Sequence, residues 1–364
     1  GNVPYSGMVS DEVGYAILTT FTKDAGPNVA KAFRELKEKN PNMKGFILDL
    51  RGNGGGLLNE AVDLVNTFIP RGEIVVTTKS KVPEWDRTYK TSGSSLDEKM
   101  PIAIIIDPHS ASASEIVSGT MQDLDRAVLI GQRSYGKGLV QNVRDIGYNS
   151  KVKVTTARYY VPSGRCIQGV TYKGGKPVNI PDSLRTAFKT RNGRRVLDGG
   201  GITPDIYLDP ETKSAIVKSL QEKYILFDYV NQYCSSHATI APAMEYKFDD
   251  FDGFVKFVEA KGFEGETETD KIIKELKDKA KKENYATGID TQLKALQMQL
   301  NAEKKKDLLA HKEEITHLIE KDLASRYYFE KGRVQMGLRH DIEIKEALSI
   351  LKDTPRYNSL LGKK

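Results

Sequence analysis

Three serines lie close together in Ser110-Ala111-Ser112-Ala113-Ser114-Glu115. A hydroxyl becomes a nucleophile when a base stands within hydrogen-bond reach. The segment falls between a short apolar run and a helical pattern, where α/β folds commonly place functional groups. A serine there meets free backbone N–H groups and the positive end of a helix dipole, which favour developing negative charge. The same residues also spell an ordinary helix start, because Ser112-x-x-Glu115 is a capping box and needs no chemistry.

None of the five histidines is a persuasive base. His109 belongs to the strand end, and His237, His311, His317 and His340 fall in a helical, charge-rich region. Lysine can take the role if burial and the lack of a counter-ion bring its pKa from about 10.4 toward neutral. Lys137, flanked by Gly136 and Gly138 and without adjacent acids, is the candidate, although a Gly-Lys-Gly turn by itself is usually just an exposed loop. Acyl transfer further needs N–H donors aimed at an oxyanion, and glycines after a strand let backbone approach a ligand closely. Gly54-Gly55-Gly56 supplies such a run; a plain tight turn is the alternative, and no Lys-Ser/Thr follows to make a phosphate loop.

Those candidates sit in repeated strand–loop–helix units. Tyr15 to Leu18 reads as a strand, followed by helical spacing over 27–39 with Val29, Ala32, Phe33 and Leu36 on one face. Phe46 to Leu50 is an apolar run of the kind found in buried strands; it leads into Arg51-Gly52-Asn53-Gly54-Gly55-Gly56 and a helix over 57–68. Ile102 to Ile106 repeats the pattern before the serines, with a helix from Ala113 to Leu124, and Val128 to Ile130 precedes Tyr135 to Gly138. This alternation predicts an α/β core. Residues 151–175 read as antiparallel hairpins, with alternation at Val152, Val154 and Thr156 and turns at Pro162-Ser163-Gly164 and Gly174-Gly175.

After about residue 210 the chain turns helical and charge-rich, most clearly over Lys271–Lys282 and Thr291–Tyr328. A length of 364 residues suits two domains, expected at 1–210 and 211–364. The net charge of +6 comes largely from lysines mixed with glutamates, as in Glu303-Lys304-Lys305-Lys306; mixed runs are solvated helix faces, so no nucleic-acid partner is expected. Cys166 and Cys234 make no disulfide framework, although one bridge between them stays open, and no zinc-site spacing occurs. No run of about 18 apolar residues would span a membrane. Gly1-Asn2-Val3-Pro4 lacks the features of a signal peptide, and the start reads as that of a trimmed or mature fragment.

Ser110 to Glu115, Met121-Gln122-Asp123, and Tyr135-Gly136-Lys137-Gly138-Leu139-Val140-Gln141 together resemble the carboxyl-terminal processing, or tail-specific, serine proteases. Lys137 follows Ser112 by 25 positions, the family's spacing. Asp49-Leu50-Arg51-x-Asn53-x-Gly55-Gly56, Gly164-Arg165-x-Ile167-Gln168-Gly169 and Gly200-Gly201-Ile202-x-Pro204-Asp205 also resemble that family's motifs, so the likeness covers roughly residues 8–210. It implies a crotonase/ClpP-like α/β protease core with antiparallel hairpins, followed by a mostly helical C-terminal domain.

By this resemblance Ser112 is the nucleophile, Lys137 the general base and Gln141 the hydrogen-bond partner of its ammonium. Ala113 and Gly56 or Gly55 would supply the oxyanion hole, and Asp123 a supporting carboxylate. No metal or organic cofactor is implied. The expected substrates are polypeptides with unstructured apolar C-termini, and the expected setting is the cell envelope, in the periplasm. Relatives often carry proline where Gly54 stands, and usually a PDZ domain upstream; neither is seen in this sequence. Two rivals remain, a catalytically silent binding protein on the same scaffold and a crotonase-type enzyme acting on acyl thioesters. For the C-terminal helices, with Leu293, Leu296, Leu300, Leu308, Leu309, Ile315 and Leu318 in register, homo-oligomer formation, a cover over the site and simple packing on the core stay open.

Overall fold

A computed structural model describes residues 1–173, 176–263 and 268–363. The chain forms two compact units, Gly1–Pro210 together with Asp341–Lys364, and Glu211–His340. In the first, β1 (Tyr5–Met8) and β2 (Val13–Ile17) precede α1 (Ala25–Lys39), β3 (Gly45–Asp49) and α2 (Leu58–Asn66). Then come β4 (Ile74–Ser80), β5 (Arg87–Lys90), β6 (Ile102–Ile106), α3 (Ala113–Asp123) and β7 (Val128–Gly131). A long hairpin, β8 (Leu139–Gly147) and β9 (Ser150–Tyr160), is followed by the short pairs β10 (Val170–Lys173) with β11 (Lys176–Asn179) and β12 (Ala187–Lys189) with β13 (Arg195–Leu197). β14 (Ile206–Tyr207) completes this part.

The main sheet runs β1-β2-β3-β6-β7-β14, with β1 antiparallel and every other pairing parallel. Parallel strands covered on both faces are apolar throughout, which is why β3 and β6 read as unbroken hydrophobic runs. Phe33 of α1 stacks edge-on against Phe46 of β3 and Phe68, with ring centroids 5.2 and 5.1 Å apart. Burying each such ring stabilises the fold by about 2–3 kcal/mol. Because β3, β6 and β7 are parallel neighbours, the loops at their carboxyl ends open on the same edge of the sheet. Those loops carry the glycine run, the serines and Lys137.

A second, four-stranded antiparallel sheet is ordered β5-β4-β9-β8. The alternation at Val152 and Val154 predicts one buried face, but both side chains are exposed, and their partner strand β8 was not expected from sequence. The Gly174-Gly175 turn lies outside the described residues. Cys166 and Cys234 are both free thiols.

The second unit contains α4 (Ala215–Glu222), α5 (Ile225–Ser236), α6 (Phe251–Ala260), α7 (Glu268–Lys282), α8 (Ala286–Ala310) and α9 (Lys312–Leu338). The single helical stretch expected over 291–328 is interrupted at His311, between α8 and α9. Its core gathers Phe254, Ile315, Ile319 and Leu323. The domain expected over 211–364 is corrected at its end. From Asp341 the chain returns to the first unit as α10 (Ile342–Lys352) and α11 (Thr354–Leu360). Ile344, Ala347 and Ile350 bury the inner face of α10, which packs across β3, β6 and β7. In sequence this amphipathic face looks like those of the helices before it.

Candidate active site

Ser112 caps α3 with φ +57° and ψ −112°. A non-glycine residue at positive φ costs on the order of 1–3 kcal/mol and persists only where its surroundings hold it. Glu115 does the holding. Its Oε2 accepts from the Ser112 N–H at 2.8 Å, one arm of the capping box legible in the sequence. The Ser112 carbonyl in turn accepts from the N–H groups of Glu115 (2.8 Å) and Ile116 (2.9 Å). The side chain of Ser112 stays half-buried at the helix start.

The same carboxylate reaches the lysine loop. Glu115 Oε2 accepts from the Lys137 N–H at 2.8 Å, and Oε1 from the Gly136 N–H (2.6 Å) and the Ser134 hydroxyl (2.5 Å). Burial pushes the Glu115 carboxyl up, while these four donors act in the opposite sense. One side chain thus fixes the backbones of both residues expected to react. Sequence reasoning saw it only as a helix cap.

The glycine loop packs against the serine. A Cβ at Gly55 (φ +94°) would lie 2.6 Å from the Ala111 oxygen, 2.7 Å from Ser112 Cβ and 2.9 Å from the Ala113 nitrogen, so only glycine fits. Asn53, fully buried, organises this contact. Its amide donates to Leu18 (2.7 Å), its Oδ1 accepts from the Gly55 N–H (2.9 Å), and its carbonyl accepts from the Ala111 N–H (3.0 Å) and the Ser114 hydroxyl (2.8 Å). The Gly55 N–H is therefore engaged. Among the described residues the Gly56 and Ala113 N–H groups make no hydrogen bond. A Cβ at Gly54 would meet no atom within 4 Å.

Lys137 is half-buried, and among the described residues its amine has neither an ion pair nor a hydrogen bond. The later motifs brace its loop. Gly169 donates to Gly136 (2.8 Å), Gln168 accepts from the Gly138 N–H (2.8 Å), and Ser134 exchanges hydrogen bonds with Ile202. Burial pushes the Tyr159 phenol well above its usual range, and among the described residues its buried hydroxyl has no hydrogen-bond partner.

Two expected residues lie outside this cluster. Gln141 is exposed on β8, opposite Thr155 of β9, and makes no hydrogen bond to Lys137. Asp123 ends α3, about 16 Å from Ser112 along the helix. There it pairs with Arg165 at 2.8 Å, both side chains fully buried, and accepts from the Ser163 N–H at 2.9 Å. It anchors the turn that leads into the motif bracing Lys137. Sequence reasoning also missed the cluster around Arg51, whose guanidinium meets Asp49 (2.6 Å), Asp341 (2.8 Å) and Glu343 (3.3 Å).

Residues 12–174 match the family described as peptidase family S41, and residues 216–351 match a probable PDZ-protease C-terminal helical domain. A carboxy-terminal-processing protease of Bartonella bacilliformis is 43% identical over 164 residues, covering 44% of this chain and 38% of the relative. A chloroplastic C-terminal processing peptidase of Tetradesmus obliquus is 31% identical over 205 residues, covering 56% and 37%. Among solved structures, a photosystem II D1 C-terminal processing protease is 30% identical over 55% of this chain and 43% of its own, with a TM-score of 0.43. The chain spans less than two fifths of the length of these two curated relatives.

Proposed function

The core of this chain belongs to the C-terminal processing proteases of peptidase family S41, and from that premise we propose that it hydrolyses polypeptides near their carboxyl ends through Ser112 and Lys137. One observation carries the reading. A single buried carboxylate, Glu115, fixes the backbone of a strained serine and that of a lysine whose amine has no counter-ion among the described residues.

In the proposed reaction the neutral Lys137 amine takes the Ser112 proton as Oγ attacks the scissile carbonyl. The tetrahedral oxyanion falls to the Gly56 and Ala113 N–H groups, at the positive end of α3. The lysine ammonium then protonates the leaving amine, and the C–N bond breaks to leave an ester on Ser112. Water attacks that ester, giving its proton to Lys137; the amine returns it to Ser112 Oγ as the acid leaves. Gln141 would join the ammonium when substrate orders the site, since catalytic contacts tighten in the bound complex.

The proposed substrates carry unstructured apolar C-termini, and the proposed setting is the cell envelope. Among the described residues no helix is long and apolar enough to cross a membrane. The test is cleavage of a peptide with such a tail by purified wild type, Ser112→Ala and Lys137→Ala. Activity in the wild type and none in either folded variant is expected; an active Ser112→Ala protein would end this reading.

A further inference from the structure

The helical unit is an insertion, entered after β14 and left at His340–Asp341. The chain then meets the catalytic loops at once. Asp341 caps α10, its Oδ1 accepting from the Ile344 N–H (3.0 Å), while Oδ2 pairs with Arg51 at 2.8 Å. Glu343 divides its two oxygens. Oε2 pairs with Arg51 at 3.3 Å, and Oε1 accepts from the Gln132 side-chain amide at 3.1 Å. The same Gln132 nitrogen donates to the Leu208 carbonyl at 2.8 Å, on the segment that leads into the insertion.

Arg51 opens the loop that ends in Asn53 to Gly56, and Gln132 opens the stretch that carries Ser134 and Lys137. Arg51 also grips Asp49 two residues away, and Asp49 accepts from the Tyr15 hydroxyl at 2.9 Å. That local pair holds the loop only to its own strand. The carboxylates of α10 tie both loops to a second, separately packed element. Burial disfavours the Arg51 charge, yet Asp49 and Asp341 overcome it and hold its pKa well above the usual arginine value.

We propose that Asp341 and Glu343 are positioning residues for the reaction, setting the oxyanion loop through Arg51 and the lysine loop through Gln132. The proposal rests on reading Ser112 and Lys137 as the reacting pair. It makes the segment that follows the helical insertion part of the catalytic core.

The test uses the full chain with the double substitution Asp341→Asn and Glu343→Gln. Glu346→Gln serves as control, because it removes another ion pair of α10, to Arg356 at 2.5 Å, away from the loops. Backbone amide exchange over 51–56 and 132–138 is read beside kcat and KM. The double variant is expected to exchange at least tenfold faster in both loops and to lose about 10²-fold in kcat, with KM within about twofold. Glu343→Gln alone, which keeps the Asp341 pair, should move both readouts in the same direction by less. Unchanged exchange and kcat in the double variant, or an equal loss in Glu346→Gln, would overturn the proposal. Should exchange respond while the wild type cleaves no peptide, the clamp stands and the peptidase reading falls.

Discussion

Ser112 and Lys137 hang from one oxygen: Glu115 Oε2 accepts a 2.8 Å hydrogen bond from the backbone N–H of each. The two residues are 25 positions apart in sequence and belong to the loops after adjacent strands, so nothing local would hold them in step. A buried carboxylate facing four donors does so at low conformational cost, since its own side chain is locked by the helix it caps.

Glu115→Gln should damage the site more than its size suggests. The amide offers one acceptor oxygen where the carboxylate serves four donors, and its NH₂ would face N–H groups. Each buried donor left unpaired costs about 1–3 kcal/mol, so a loss of about 3 kcal/mol in urea unfolding is expected, with kcat down more than about 10²-fold. Wild-type cleavage by this variant would show that the shared carboxylate does not align the pair.

The same residue has a pH signature. Burial raises the Glu115 carboxyl above its ordinary value, so the native state binds that proton more tightly than the unfolded chain does. A raised carboxyl contributes stability that is full below about pH 4.3 and is lost as pH rises through the folded pKa. The unfolding free energy of wild type minus that of Glu115→Gln should therefore shrink between about pH 4.5 and pH 7. A difference that grows over that interval would contradict the assignment.

Adjacent glycines should behave differently. Gly55→Ala would drive a methyl group into Ala111, Ser112 and Ala113 at a positive φ and is expected to abolish cleavage. Gly54→Ala meets open space and should keep kcat/KM within about twofold of wild type. Equal activities in a peptide-cleavage assay would mean that the loop does not approach the serine as described.

Asp123→Ala tests a structural role at the far end of α3. It strands the buried Arg165 guanidinium, whose pKa burial already pushes down against the pull of Asp123. Leaving one partner of a buried pair alone costs about 3–5 kcal/mol. The expected result is that loss in chemical denaturation, with labelling of Ser112 preserved in whatever fraction stays folded. A stable but unlabelled variant would move Asp123 into the chemistry instead.

Much of this was legible in the chain itself. Buried parallel strands write themselves as apolar runs, so β3, β6 and β7 could be placed, and with them the edge where three loops meet. Gly55 and Lys137 each read alone as ordinary turn residues, and they stood out only through the resemblance of the motifs that hold them. The function of Glu115 was hidden behind an ordinary helix cap, since its remaining partners lie 19 to 22 positions downstream. The partners of Arg51 were harder still: Glu343 lies 292 positions away, and charge pairing over such a separation leaves no local pattern. The strand β8 escaped because its apolar residues do not alternate with its polar ones, and Val143 and Ile146 are themselves exposed, so no buried face is written in the sequence.

The most direct measurement is the rate at which a fluorophosphonate modifies Ser112, followed by intact mass and peptide mapping. With Lys137 as the base, wild type should be labelled at Ser112 alone. Lys137→Ala should be slower by about 10²- to 10⁴-fold, the usual worth of a general base. Labelling of Lys137→Ala at the wild-type rate would contradict the account.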